Sequence, residues 1–305
     1  MSRVHDALRR AEQLGQPVAT GEPGPEGQEA FAEIPESRGG GYPPTALASY
    51  QQDGFGSASD PSDETDWANL LSKVQEIPLQ IAPEAHLINL DRPHEVPGEE
   101  FRSLRTRLNH VQGQQNIHSL IVTSASPAEG KTFTAVNFAL AQAQLAENPV
   151  LLADLDLRRP IIHHLFQSER GPGFSDYLIH GAPLESVIRR VGNTNLYLMP
   201  AGTAVKNPLE LLNLRQVRSL LTNLPRVFNW VIADTPPLLF SADANLLATL
   251  CDATLIVVRI GATTYDNIIR AMQSLCENNV IGIVANGARA TELYSKYTYY
   301  YSKRD

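Results

Sequence analysis

From about residue 80 onward the chain reads as short apolar, β-branched runs separated by longer stretches whose apolar positions recur every three or four residues. The runs are HSLIVT (118–123), VLLAD (150–154), LYLMP (196–200), WVIAD (230–234), ATLIVV (253–258) and NVIGIVAN (279–286). None alternates apolar with polar, so each strand is expected to be covered on both faces, as in a mainly parallel sheet. Between them, TFTAVNFALAQAQLA (132–146), LRQVRSLLTNL (214–224) and TTYDNIIRAMQSLCENN (263–279) carry the helical period. The pattern predicts an α/β fold with helices on both faces of a mainly parallel sheet.

Upstream the pattern fades. Residues 2–14, SRVHDALRRAEQL, place Val4, Leu8 and Ala11 at helical spacing before Gly15 and Pro17, which predicts a short amphipathic helix over 1–14. Text such as GEPGPEGQEA, SRGGGYPP and DGFGSASDPSDET has too little apolar content to offset the entropy of ordering it. A disordered acidic linker is expected over 15–79, then a folded domain over 80–290 and a tail over 291–305.

Charge changes the picture only locally. The 305 residues carry a net −8, but residues 15–76 hold eleven acids against Arg38 and Lys73, so the remainder lies near +1. No run approaches the ~18 apolar residues of a membrane span, and MSRVHDALRR lacks the apolar core of a secretory signal. A cytoplasmic protein is expected. Cys251 and Cys276 are read as ordinary core residues. His163 and His164 point apart on a helix and receive a structural reading.

Candidate chemistry begins after the first run. SASPAEGKTF supplies Gly130, Lys131 and Thr132 of a phosphate-loop pattern, with Ala125 where its first glycine would stand. Such a loop turns backbone N–H groups toward a polyphosphate, Lys131 reaches the β and γ phosphates, and the Thr132 hydroxyl binds Mg²⁺. Asp154 and Asp156 of LLADLDLRRP, with Asp234 of WVIADTPP, fall at the carboxyl edge of the sheet, where open α/β sheets bind ligands. Three carboxylates beside a polyphosphate require a divalent cation between them. A nucleoside polyphosphate such as ATP, together with Mg²⁺, is therefore the expected ligand.

The order SPAEGKT, LLADLDLRRP, PAGTAVKNPLELL and FNWVIADTPP, with EEFRSLRTRL upstream and a tyrosine cluster at 294–305, resembles the bacterial tyrosine kinases of the CpsD/CapB type over roughly residues 84–305. That family governs exopolysaccharide chain assembly and shares a P-loop NTPase sheet with the division-site and chromosome-partition ATPases. The resemblance implies a Walker A loop spanning Ser126, Pro127, Ala128, Glu129, Gly130, Lys131, Thr132 and Phe133. It also implies a second acidic motif at Asp154 and Asp156 and a Walker B aspartate at Asp234. Thr132, Asp156 and Asp234 would hold the metal, and Asp154 would accept the tyrosine proton. Arg158 fills the family's Asp-x-Asp-x-Arg slot or makes a helix-start salt bridge. Asn286 reads adenine or caps a turn. Two departures stand out: Ala125 and Ala128 replace glycines, and Asn229 precedes the Walker B strand where the family tends to have aspartate.

The same resemblance makes Tyr294, Tyr297, Tyr299, Tyr300 and Tyr301 the autophosphorylation sites. Glu99, Arg102 and Arg105, spaced by three, would join subunits into a ring or form a plain ion pair. A separate membrane activator of the polysaccharide co-polymerase type is implied, which would place the protein at the inner membrane through a partner. No nucleic-acid partner is expected. The competing reading is a partition-type ATPase switch without kinase activity; Ser126 stands where those proteins carry a lysine, and the tyrosines would have no purpose in it.

Overall fold

The computed structural model describes residues 65–85, 87–88, 97–275 and 280–288. The helix expected over 1–14, most of the acidic linker, Cys276 and the tyrosine cluster lie outside the described residues.

Eight strands form one sheet: β1 (Gln75–Ile77), β2 (Ser119–Ser124), β3 (Val150–Asp154), β4 (Arg189–Val191), β5 (Leu196–Met199), β6 (Trp230–Asp234), β7 (Ala253–Arg259) and β8 (Val280–Asn286). Their order is β1-β4-β5-β3-β6-β2-β7-β8. Every described pairing is parallel except β4 against β5. The helices are α1 (Leu70–Lys73), α2 (Gly98–Gln115), α3 (Lys131–Ala143), α4 (Ile162–Leu165), α5 (Phe174–His180), α6 (Leu184–Val187), α7 (Pro208–Leu212), α8 (Arg215–Asn223), α9 (Ala242–Leu250) and α10 (Tyr265–Ser274).

The missing alternation has the expected cause, cover on both faces, in five of the six strand runs; β8, at the end of the strand order, instead stays partly exposed along its length despite its apolar sequence. In β2 successive side chains point to opposite faces and all six residues are buried. Leu120 and Val122 join Leu152, Ile232 and Val257 beneath Phe101 and Leu108 of α2 and Phe138 and Leu140 of α3. Ile121 joins Leu151, Val231 and Ile256 on the other face, against Tyr177 of α5, Val217 and Leu220 of α8 and Leu247 of α9. In α8 the buried set Val217, Leu220 and Leu221 is the stripe that the sequence spacing predicts. Phe138 stacks edge-on against fully buried Trp230 at 5.6 Å, and truncating either ring would cost about 3–5 kcal/mol.

Two strands escape the sequence pattern. β1 and β4 are three residues each and contain charged side chains; β1 pairs with β4 through Gln75–Arg189 and Ile77–Val191. α1 and β1 both fall within the stretch assigned to the linker, so the folded domain begins upstream of residue 80. Leu70 explains this: it is fully buried in the same core as Tyr177 and Leu184. One fully buried anchor, three partly buried apolar neighbours (Trp67, Leu71 and Val74) and three backbone pairings are too little for a composition-based reading to register.

The connections set up the functional edge. From β2 the chain crosses to β3 on one side and from β6 to β7 on the other, so the sheet's switch point lies at the carboxyl ends of β2, β3 and β6. Among the described residues no helix is long and apolar enough to cross a membrane.

Candidate active site

The loop from Ala125 to Gly130 joins β2 to α3 at that edge. Gly130 has φ +98, a conformation open to glycine, and a Cβ there would collide with the Asn286 amide nitrogen. Ala128 adopts φ +62 despite its methyl group, at a cost of about 1–2 kcal/mol. Ala125 is fully buried. The two alanines that replace glycines thus differ: one fills the core, the other is strained.

Two acidic side chains converge on Lys131. Its Nζ lies 3.0 Å from Asp156 Oδ2 and 3.9 Å from Asp234 Oδ1. The Thr132 hydroxyl donates to Asp234 Oδ2 at 2.6 Å and lies 3.3 Å from Lys131 Nζ. Burial alone would lower the Lys131 pKa, but Asp234 and Asp156 outweigh it and raise it. In this state Lys131 compensates the aspartates.

Asp154 is held differently. Its Oδ2 accepts the N–H groups of Ile161 and Ile162 at 3.1 and 3.0 Å. Its Oδ1 has no hydrogen-bond partner among the described residues. Burial, reinforced by Asp234, pushes its pKa up to about 8. Burial also raises Asp234 to about 6, opposed by Lys131 and the Thr132 hydroxyl. The edge therefore carries more protonatable carboxylate than one cation can neutralise.

The donor set fits a hard divalent cation. Thr132, Asp156 and Asp234 offer oxygen only, and buried Asp234 Oδ1 lacks a hydrogen-bond partner. Among the described residues no group of three or more His, Cys, Asp or Glu forms a complete metal cage.

The remaining candidates divide. Arg158 makes the salt bridge weighed for it: Nε and Nη2 donate to Asp243 Oδ2 and Oδ1 at 2.7 and 3.1 Å, at the start of α9. The Asn286 amide donates to the Glu129 carbonyl at 3.0 Å, and its Oδ1 accepts from Gly287 N–H at 2.9 Å, capping the turn after β8. Glu129 is buried and accepts from Ser126 N–H at 2.9 Å. Asn229 sits at the opposite edge of the sheet, where its amide donates to Asn148 and its N–H to Pro149. That departure from the family therefore does not touch the site. Arg102 pairs with Glu99 at 2.8 Å, while Arg105 donates to the Ala141 carbonyl at 2.6 Å near the end of α3. Phe133 packs edge-on against Phe101; His163 and His164, expected to point apart, instead bring their rings to 4.2 Å in the short helix α4.

Sequence reasoning missed Asp243, Arg259 and Thr263. Arg259 donates to the Ala128 carbonyl at 3.2 Å and Thr263 to Glu129 at 2.6 Å. None lies in a motif; the only available signal was their position just past a strand or at a helix start on the carboxyl edge.

No protein-family model matches the chain. A curated relative, the tyrosine-protein kinase YwqD of Bacillus subtilis, is 31% identical over 220 residues, covering 72% of this chain and 92% of that protein. The chain belongs to the bacterial tyrosine-kinase family. A second member, the tyrosine-protein kinase Etk of Escherichia coli, is 33% identical over 231 residues, but the match spans 31% of its length. Among solved structures, the kinase domain of Escherichia coli ETK superposes with a TM-score of 0.61 at 32% identity, covering 66% of this kinase-family chain and 81% of that one. The BceF tyrosine kinase domain superposes at 0.60 with 28% identity, covering 75% and 89%.

Proposed function

We propose that this chain is an ATP-dependent protein tyrosine autokinase that phosphorylates its own cluster, Tyr294, Tyr297, Tyr299, Tyr300 and Tyr301, in trans and thereby regulates exopolysaccharide or capsule biosynthesis and export. The carrying observation is the convergence of Lys131, Thr132, Asp156 and Asp234 at the carboxyl edge of a kinase-family sheet.

Phosphoryl transfer is mostly positioning and charge neutralisation. Lys131 supplies the cation beside the loop amides. Thr132, Asp156 and Asp234 would hold Mg²⁺, which when bound neutralises charge on the phosphates. Asp154 takes the proton-accepting role: one of its oxygens is committed to backbone N–H groups and the other is unpaired. Burial and Asp234 raise its pKa while no cation is present; beside a bound cation it would return to the ionised form that accepts a proton. Asn286 retains a second amide hydrogen for reading adenine.

Residues 294–305 carry a net +2, which suits docking at the acidic site of a neighbouring subunit. Each phosphate adds about −1.5 to −2, so full modification would turn the segment into a polyanion and loosen the assembly. Glu99, Arg102 and Arg105 are the proposed ring contacts. A separate membrane protein of the polysaccharide co-polymerase type is the proposed activator and would hold the kinase at the inner membrane.

The test mixes a Lys131→Met chain that keeps its tyrosines with an active chain in which all five are Phe. Phosphotyrosine on the Lys131→Met chain after ATP and Mg²⁺ is the expected result. Label on neither chain would sink the autokinase reading in trans.

A further inference from the structure

Glu129 is the acidic side chain of the phosphate loop, and it is 3% exposed. A carboxylate there would repel a polyphosphate unless its charge were engaged elsewhere. Both oxygens are engaged: Oε2 accepts from Ser126 N–H at 2.9 Å and Oε1 from the Thr263 hydroxyl at 2.6 Å. The Thr263 oxygen in turn accepts from Arg259 N–H at 2.7 Å, and the Arg259 guanidinium donates to the Ala128 carbonyl at 3.2 Å. Asn286 holds the Glu129 carbonyl at 3.0 Å, and its own carbonyl accepts from Ile260 N–H at 2.9 Å. Two successive loop residues, Ala128 and Glu129, are thus held from outside by the end of β7, the turn after it and the end of β8.

We propose that Glu129 is a positioning residue which, tied to Thr263, holds the phosphate loop in its nucleotide-binding shape without touching the nucleotide. The strain at Ala128 motivates this. A glycine would adopt φ +62 freely, whereas an alanine stays there only while its surroundings over-determine it. Ser126 N–H, committed to Glu129, then shapes the loop rather than donating to phosphate. The proposal rests on the phosphoryl-transfer reading for its purpose but is judged by nucleotide binding alone.

The test uses the full chain and a fluorescent ADP analogue with Mg²⁺. Thr263→Val removes the hydroxyl at constant shape; it is expected to weaken ADP binding about tenfold and to raise KM for ATP with a much smaller change in kcat, since the loss is in binding shared by ground and transition states. Its melting temperature without nucleotide should fall by only a few degrees with the chain still folded, because one oxygen of a buried carboxylate loses its hydroxyl donor while the other keeps the Ser126 N–H. Thr263→Ser should restore binding, and Glu129→Ala should lose it as Thr263→Val does. Should Glu129→Ala fail to fold, the Thr263 pair decides. Wild-type ADP affinity in folded Thr263→Val, or no rescue by Thr263→Ser, would overturn the proposal. Tight ADP binding by a wild-type chain that never forms phosphotyrosine would refute the kinase reading and leave this one standing.

Discussion

Asp154 and Asp234 stand opposite one another as register partners at the ends of the adjacent parallel strands β3 and β6, and neither exposes any surface. Two carboxylates held this close in a buried edge disfavour each other's ionisation, and burial disfavours both. Lys131 offsets part of this for Asp234 but lies farther into the Asp156 side of the cluster. The edge is poised for added positive charge.

A pH dependence follows. Both carboxyls have folded pKa values above their unfolded ones, about 8 for Asp154 and about 6 for Asp234. Their contribution is therefore full below the ordinary carboxylate pKa and is lost as pH rises through about 6 and then about 8. Calorimetry in EDTA should show the melting temperature falling across this window. Asp154→Asn should flatten the fall and raise the melting temperature at pH 8 by about 2–4 °C, the equivalent of roughly 1 kcal/mol in a domain of this size. Parallel curves for variant and wild type would mean Asp154 does not titrate there.

Lys131→Met should affect folding as well as activity. Phosphotyrosine formation is expected to drop at least about 100-fold, because a cation beside the transferring group is lost. The structure adds a cost that the motif alone does not suggest: Asp156 and Asp234, 5% and 1% exposed, lose their compensating charge. The variant should melt lower than wild type at pH 8 and approach it at pH 5, where Asp234, raised to about 6, takes up its proton. An equal deficit at both pH values would argue against this electrostatic origin.

Metal linkage is expected to run through Thr132, whose hydroxyl contacts Asp234 at 2.6 Å. Thr132→Val should raise the dissociation constant for ADP about tenfold in Mg²⁺ and leave it nearly unchanged in EDTA, since the lost oxygen matters only when the cation is present. Isothermal titration under the two conditions reads the difference directly. The same loss in both would assign Thr132 a metal-independent role.

The three residues proposed to join subunits should separate by their intrachain work. Arg105 caps the Ala141 carbonyl near the end of α3, so Arg105→Ala is expected to cost about 1–2 kcal/mol of domain stability. Glu99→Ala removes the exposed partner of an ion pair whose Arg102 side chain is partly covered and should cost less than about 1 kcal/mol. Glu99→Ala is thus the clean probe of assembly. A reduced mass by light scattering at unchanged melting temperature would support the ring, and an unchanged mass would count against Glu99 as an interface residue.

Much of this was legible in the chain itself. Six apolar runs without alternation specify strands, because burial on both sides removes any polar position; all six are found in the sheet, five of them covered on both faces, whereas β8 at the end of the strand order has no fully buried residue and leaves Ile283 38% exposed. SPAEGKT, DLD and DTPP specify the chemistry, because a phosphate loop needs its lysine and hydroxyl at set offsets and acidic ends of parallel strands fall on one edge. Local pattern could not specify which residues would meet. Asp154 faces Asp234 because β6 inserts beside β3, and Thr263 reaches Glu129 across 134 positions. Arg105, spaced three residues from Arg102, turns instead to Ala141 because α2 packs on α3. β1 and β4 exist only as partners of each other and of β5. Residue type and spacing are written along the chain, whereas strand order, the desolvation of each carboxylate and the ties on the phosphate loop arise only when distant segments exclude water from one another.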